Sequence, residues 1–175
     1  MKQYNEALKF ILENGVKSED RTGEGTLRYF GYQMRFDLSK GFPAVTTKKL
    51  AWKSMVSELL WFIEGSGDEK RLREILHGDR NSLKPTIWTA NAEADYWLPK
   101  AKFEGDLGRV YGVQWRSWQG IDGKSYDQLV QLVHDLKNNP YSRRHILTAW
   151  NVADLNNMAL PPCHTLSQFY VRNGK

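Results

Sequence analysis

The stretch from Trp52 to Ile63 constrains the fold more than any other part of the sequence. Its apolar residues recur at the spacing of one broad helical face: Trp52, Met55, Val56, Leu59, Leu60, Phe62 and Ile63. A face this wide needs other elements packed against it, so we expect this helix at the centre of a core, ending near Gly65. Glu58 interrupts the apolar run. It lies either on the polar edge of the helix or inside a site where a carboxyl group can shuttle protons.

Further helices and strands are predicted on both sides of this helix. Apolar spacing of three and four residues indicates helices, and alternation indicates strands, one of which changes parity at Gly31 and is expected to bend there. The predicted helices cover residues 4–12, 69–76 and 129–136, and the predicted strands cover residues 27–36, 144–151 and 165–171. The sequence has no internal repeat or linker, which favours a single α+β domain over residues 1–175.

Composition excludes several classes of protein. With 41% apolar and 13% aromatic residues, the chain is neither disordered nor fibrous. No apolar run approaches the ~18 residues that a membrane span needs, and the first residues lack a secretory signal, so we expect a cytoplasmic protein. The single cysteine, Cys163, excludes internal disulfides and cysteine-based zinc clusters.

Positive charge is concentrated towards the end of the sequence. The formal net charge is +5, and residues 139–175 hold four Lys or Arg side chains but a single acid, Asp154. Anionic ligands are therefore favoured. The basic residues form no long run and no known nucleic-acid-binding motif, whereas two or three arginines suffice to bind a phosphate. A small phosphorylated ligand is the simpler prediction.

Cys163 is the candidate nucleophile. It follows Pro161 and Pro162, precedes His164 and lies in the most basic stretch of the chain. Cationic neighbours stabilise the thiolate, which is the reactive form of the side chain. The alternative is that a lone cysteine serves as a small buried apolar residue. The residue pattern alone leaves both interpretations open.

Three arginines are candidate phosphate ligands. Arg143 and Arg144 open a predicted strand, where alternation would send their side chains to opposite faces, and Arg21 lies in a turn rich in glycine. Guanidinium groups match the geometry of phosphate, although each could equally be a solvated surface residue. Tyr111 and Trp88 are explained as well by a place in the core as by a place in a site.

Taken together, these motifs resemble thymidylate synthase of the phage or bacterial type. They occur in the order of the family and cover nearly the whole chain, and Pro162-Cys163-His164 after the arginine pair is the most specific of them. The matching segments are Asp20–Gly23, Gly25–Thr26, Gly41–Pro43, Thr46–Lys49, Glu58–Phe62, Tyr111–Gly112, Gln114–Arg116, Ser142–Arg144, Ala149–Asn151, Met158–His164 and Gln168–Phe169.

The resemblance implies a fold and an activity. The fold would be the family's α+β arrangement, a mixed sheet packed with helices. The activity would be that of a methyltransferase of nucleotide biosynthesis, which converts dUMP to dTMP. The co-substrate 5,10-methylenetetrahydrofolate would supply both the carbon and the hydride, and no metal would be needed. The expected assembly is a homodimer, with neither a membrane nor a nucleic acid as partner.

The resemblance also implies roles for the catalytic candidates. Cys163 would add to carbon 6 of the uracil ring as the covalent catalyst. Glu58 and Tyr111 would belong to the proton-transfer network, and His164 would support the nucleotide site.

The ligand-binding candidates receive roles from the resemblance as well. Arg21 would bind the nucleotide phosphate, and Arg143 with Arg144 would reach the phosphate bound by the other subunit of the dimer. Trp88 and Lys48 would contact the ring and the tail of the folate.

The sequence departs from the family's pattern in three respects. Thr89 follows Trp88 where the family usually has Asp, and Arg109 replaces the usual Pro before Val110, so we expect a different folate pocket. About the last third of the family's sequence is not present, including the Asn that reads the uracil edge. We therefore expect a domain truncated at its C-terminus that does not make dTMP by itself.

Two alternatives remain at the level of sequence. A pyrimidine nucleotide hydroxymethylase acting on dUMP or dCMP would form the same covalent adduct but add water where the synthase adds hydride. A noncatalytic truncated product could instead bind RNA through its basic surface.

Overall fold

The chain forms two units with their own internal contacts, one over Met1–Ala51 and one that begins at Trp52. The computed structural model describes residues 1–20 and 23–174. Within these ranges, no helix combines the length and the apolar character that crossing a membrane requires. The single domain over residues 1–175 stays a prediction, and each unit is described by itself.

The first unit contains one long helix and one pair of strands. Helix α1 spans Lys2–Asn14 and ends at Gly15, as the apolar spacing predicts. Strand β1 (Val16–Ser18) follows directly and pairs antiparallel with strand β2 (Thr26–Arg28). A short 3-10 turn at Leu38–Lys40 is the remaining helical element of this unit among the described residues.

The strand that was expected to bend at Gly31 ends before that residue. Gly31 has a φ of +82°, in the left-handed region that strand residues do not adopt. The aromatic residues around it pack on α1 instead, since the rings of Tyr29 and Tyr32 lie 4.6 and 5.1 Å from the ring of Phe10. The alternation reflects this aromatic packing, and the prediction of a strand as far as residue 36 is wrong.

Helices dominate the second unit. In chain order they are α2 (Trp52–Glu64), α3 (Glu69–His77), α4 (Thr89–Ala92), α5 (Tyr111–Arg116) and α6 (Gln128–Asn138), with 3-10 turns at Leu98–Lys100 and Val152–Asn157. Helix α2 packs against α3 and α5, and α5 also packs against α6. The three helices predicted from apolar spacing in this unit are confirmed.

Two pairs of short strands complete the second unit. The pairs, both antiparallel, are β3 (Trp118–Gln119) with β4 (Ser125–Tyr126), and β5 (Ile146–Thr148) with β6 (Leu166–Gln168). Both strands predicted near the end of the chain are present, although each has only three residues. The sheets in the described part of the chain are thus three separate two-stranded pairs, and with the helices they give the expected α+β class.

The core of the second unit surrounds the contact between α2 and α5. Its buried apolar residues include Trp61, Phe62, Leu72, Trp88, Trp97, Leu107, Val110, Tyr111, Trp115, Leu132 and Leu147. Gly112 permits the close approach of the two helices, because a Cβ atom at this position would lie 2.4 Å from the carbonyl oxygen of Phe62. The prediction that the apolar helix lies at the core is confirmed for Trp61 and Phe62. It is wrong for most of the predicted face, because five of its members are exposed: Trp52, Met55, Leu59, Leu60 and Ile63.

We expect Gly112→Ala to lower the free energy of unfolding by about 1–3 kcal/mol. The added methyl group would meet backbone atoms of Phe62, which can move only with α2, and this cost exceeds the ~1 kcal/mol helix preference of alanine over glycine. Urea denaturation followed by circular dichroism measures the change. Lys53→Ala, at an exposed position of α2, is the control and should change stability by less than about 0.5 kcal/mol. Equal effects of the two substitutions would contradict the prediction.

Candidate active site

Cys163 is exposed and lies beside the buried side chain of Tyr111. The backbone N–H of Cys163 donates a hydrogen bond to the hydroxyl oxygen of Tyr111, the first residue of α5. A solvent-exposed thiol is accessible to a ligand, whereas the alternative from sequence required a buried apolar cysteine. The structure therefore removes the main argument for a purely structural cysteine.

The ring of His164 packs into the aromatic group around Tyr111. Its centroid lies 4.3 Å from that of Tyr111, 6.0 Å from Trp115 and 6.1 Å from Phe62. Desolvation by these neighbours lowers the pKa of His164, and the negative charge of Glu58 partly opposes this effect. The imidazole is therefore mainly uncharged at pH 7.

Tyr111 stays protonated at neutral pH. Burial is the largest cause that raises the pKa of its phenol, and the neighbouring Cys163 side chain adds to the rise. The ring itself stacks on Phe62, whose centroid is 4.7 Å away at an interplanar angle of 28°. A protonated phenol in a fixed position can both donate and accept a hydrogen bond.

Glu58 is fixed by a hydrogen bond from Trp88. The carboxylate lies on α2, is half-buried, and accepts from the indole Nε1 of Trp88 at 2.6 Å. The ring of Trp88 is in turn 5.9 Å from that of Tyr111. Glu58 therefore belongs to the same group of side chains as Tyr111 and His164, rather than to a fully solvated edge of the helix.

A buried polar cluster that sequence reasoning missed supports Trp88. Glu69, 1% exposed, accepts hydrogen bonds from the hydroxyls of Thr86 and Thr89 and pairs with Arg73 at 2.7 Å. The Thr86 hydroxyl also accepts from the backbone N–H of Trp88. Thr89, one of the departures from the family's pattern, is a donor here, and an aspartate at this position would place a second carboxylate beside Glu69. The i, i+4 spacing of Glu69 and Arg73 is the signal that was available in the sequence.

Arg109, another departure, belongs to a second polar cluster. Its Nε contacts Oδ2 of Asp154 at 2.6 Å, its Nη2 donates to the carbonyl of Ser117 at 2.6 Å, and Gln114 donates to the same Asp154 oxygen. Burial acts to raise the pKa of Asp154, but the hydrogen bonds from Gln114 and Arg109 outweigh it and leave the pKa lowered. Asp154 is the single acid among residues 139–175, and this was the signal available in the sequence for the acid that pairs with Arg109.

Among the residues that the structure describes, the predicted phosphate ligands and Lys48 make no described contact with the side chains grouped around Cys163. Arg143 and Arg144 are exposed and precede β5, which begins only at Ile146. The prediction that they open this strand is therefore wrong. Lys48 is exposed in the first unit. Arg21 lies outside the described residues.

A cavity in the second unit lies apart from the residues grouped around Cys163. A cavity of about 900 Å³ opens beside Trp97, Lys102 and Asp106, and its lining contains none of the residues grouped around Cys163. Among residues 1–20 and 23–174, no group of three or more His, Cys, Asp or Glu side chains is arranged to hold a metal ion.

Comparison with known proteins identifies the family. The family model described as thymidylate synthase matches residues 2–175. The chain belongs to the thymidylate synthase family. Its structure is similar to the crystal structure of thymidylate synthase from T4 phage, with a TM-score of 0.89 and 48% sequence identity. The match covers 99% of this chain and 58% of the phage chain. The resemblance found in the sequence is confirmed, and so is the expected fold class.

We expect Glu58→Gln to lower the pKa of His164 further. The carboxylate is the one cause acting to raise this pKa, so removing its charge disfavours the imidazolium form. NMR titration of the four histidine ring signals measures the change, with His164 assigned by its absence in His164→Gln. Glu104→Gln, which removes an exposed carboxylate paired with Lys70, is the control and should leave this pKa unchanged. A rise in the pKa of His164 in Glu58→Gln would contradict the assigned contact.

Proposed function

We propose that this chain carries the nucleophile of a thymidylate synthase, a cytoplasmic homodimeric methyltransferase of dTMP biosynthesis that converts dUMP to dTMP. The observation that carries the proposal is the exposed thiol of Cys163, whose backbone is bonded to the buried Tyr111 hydroxyl beside His164. Membership of the family supplies the reaction. The single domain over residues 1–175 is part of the same proposal, and the two alternatives from sequence gain no support from the comparisons.

Cys163 begins the reaction by covalent addition. Its thiolate forms a bond to carbon 6 of the uracil ring, and the electron pair of the 5,6 double bond moves towards the carbonyl at carbon 4. The resulting enolate makes carbon 5 nucleophilic, which the free ring is not. Exposure of the thiol allows the flat ring to approach it. When bound, 5,10-methylenetetrahydrofolate supplies the carbon unit and the hydride.

Tyr111 and Glu58 handle protons around this addition. The phenol of Tyr111 is protonated at neutral pH and lies next to Cys163, so it can donate to or accept from the reacting groups. Glu58, oriented by Trp88, can take up or return a proton nearby. His164 is mainly uncharged and packs on Tyr111, a position from which it supports the nucleotide site without adding positive charge.

Arginines bind the nucleotide phosphate, and Trp88 and Lys48 contact the folate. Arg21 acts within its own subunit, whereas the exposed Arg143 and Arg144 reach the phosphate held by the partner, so that each site of the homodimer is shared. Trp88 is 4% exposed, so the area of this residue that a folate can contact is small. The Thr86 hydroxyl of the Glu69 cluster accepts from the backbone N–H of Trp88 and holds this residue in place, and no metal takes part.

The decisive variant is Cys163→Ser in a protein that joins this chain to the part of the T4 phage enzyme beyond the match. With dUMP and methylenetetrahydrofolate, the parent should form dTMP and dihydrofolate. The serine variant should lose about 10³-fold or more of this turnover, because a hydroxyl forms too little alkoxide at pH 7 to add to the ring. Product chromatography measures the rate, and equilibrium dialysis with labelled dUMP should show that the variant still binds nucleotide.

The control for this variant is Lys53→Ala, which should keep the activity of the parent. Substantial turnover by Cys163→Ser would contradict the assignment of the nucleophile. Formation of tetrahydrofolate with a hydroxymethylated base, or a product from dCMP alone, would indicate the hydroxymethylase instead.

Shared phosphate sites predict rescue between two inactive variants of the same joined protein. In a heterodimer of Cys163→Ser with Arg143→Ala, one site would combine an intact Cys163 with the partner's intact arginine, while the other site carries both defects. We expect about half of the parent activity per heterodimer, measured after separation by two affinity tags. Each variant alone is the control. Absence of rescue in isolated heterodimers would confine the arginine to its own subunit.

A further inference from the structure

Arg109 and Asp154 join the two segments that carry Tyr111 and Cys163. Arg109 lies two residues before Tyr111, and Asp154 lies nine residues before Cys163. Their side chains are 24% and 15% exposed, and Nε of Arg109 is 2.6 Å from Oδ2 of Asp154. An ion pair shielded in this way holds its geometry more firmly than a pair at the surface.

Backbone hydrogen bonds extend this link towards Cys163. The N–H of Arg109 donates to the carbonyl of Asn157 at 2.9 Å, and the N–H of Ala159 donates to the carbonyl of Leu107 at 3.0 Å. Only three residues separate Ala159 from Cys163, and two of them are prolines with a fixed φ. The path from the ion pair to the thiol is therefore short and stiff.

The guanidinium group also fixes the far end of α5. Its Nη2 donates to the carbonyl of Ser117, the residue that follows α5, at 2.6 Å, and the buried Gln114 within α5 donates to Asp154 at 2.8 Å. One arginine thus contacts both the Asp154 segment and the end of the helix that begins with Tyr111. A lysine ammonium, as a single point of contact, cannot span both acceptors.

We propose that the Arg109–Asp154 pair positions the Tyr111 hydroxyl against the backbone N–H of Cys163. The proposed role is indirect: the pair acts by holding α5 in register with the Cys163 loop. The inference rests on the proposed function only in treating Cys163 as the nucleophile.

The test measures alkylation of Cys163 by iodoacetamide in the 175-residue chain. Because Cys163 is the single cysteine, mass spectrometry reports on this thiol alone. In the otherwise unchanged chain, Tyr111→Phe removes the hydroxyl at Cys163 and should change the rate of Cys163 alkylation about threefold or more. In Arg109→Gln, the hydroxyl is no longer held there, so adding Tyr111→Phe should change the rate by less than about 1.5-fold. If Arg109→Gln does not fold, Asp154→Asn replaces it, because this substitution keeps the size of the side chain. It should likewise reduce the effect of Tyr111→Phe on the alkylation rate to less than about 1.5-fold.

Two controls separate positioning from general destabilisation. Arg71→Gln breaks exposed ion pairs with Glu64 and Glu74 and should keep the full effect of Tyr111→Phe. Arg109→Lys retains the positive charge, so in this background Tyr111→Phe should recover part of its effect on the alkylation rate. An equal effect of Tyr111→Phe in all backgrounds, or no effect in the parent, would overturn the proposal. Alkylation of Cys163 does not require the chain to form dTMP. A failure to form dTMP would therefore contradict the proposed function but leave the alkylation result unchanged.

Discussion

Gly112 allows the backbone of α5 to meet the carbonyl oxygen of Phe62 on α2, and the arrangement of the site follows from this contact. It brings the rings of Phe62 and Tyr111 into a stack and leaves the tyrosine hydroxyl at the Cys163 backbone. It also aligns Glu58, one helical turn before Phe62, with the same aromatic group. A single close helix contact therefore orients residues from three distant parts of the sequence.

Two polar clusters fix the elements beside this contact. Glu69 holds the turn that carries Trp88, and Asp154 holds the loop that leads to Cys163. Removing such groups from water costs free energy that their pairing recovers only in part, so they are better explained by the geometry they impose than by stability. Thr89 and Arg109, the two residues that the sequence analysis singled out as substitutions in the family's pattern, lie in these clusters.

The predictions from sequence were accurate where the controlling interactions are local. Helix α2 follows from spacing of three and four residues, whereas the strand predicted through Gly31 failed because aromatic packing on α1 produces the same alternation. Cys163 and Glu58 were singled out from the residue pattern, whereas Tyr111 and Trp88 became candidates only through the resemblance. Contacts such as Glu58 to Trp88 and Arg109 to Asp154 join residues 30 and 45 positions apart, and no local pattern reveals them.

The exposure of Cys163 makes the protein sensitive to oxidants. A thiolate open to solvent reacts with peroxide to form a sulfenic acid, which a second thiol normally converts to a disulfide before further, irreversible oxidation. Cys163 is the single cysteine of these 175 residues, so a protective disulfide needs a small thiol in solution or a cysteine outside them. The redox state of the surroundings thus determines how long the Cys163 thiol stays reduced.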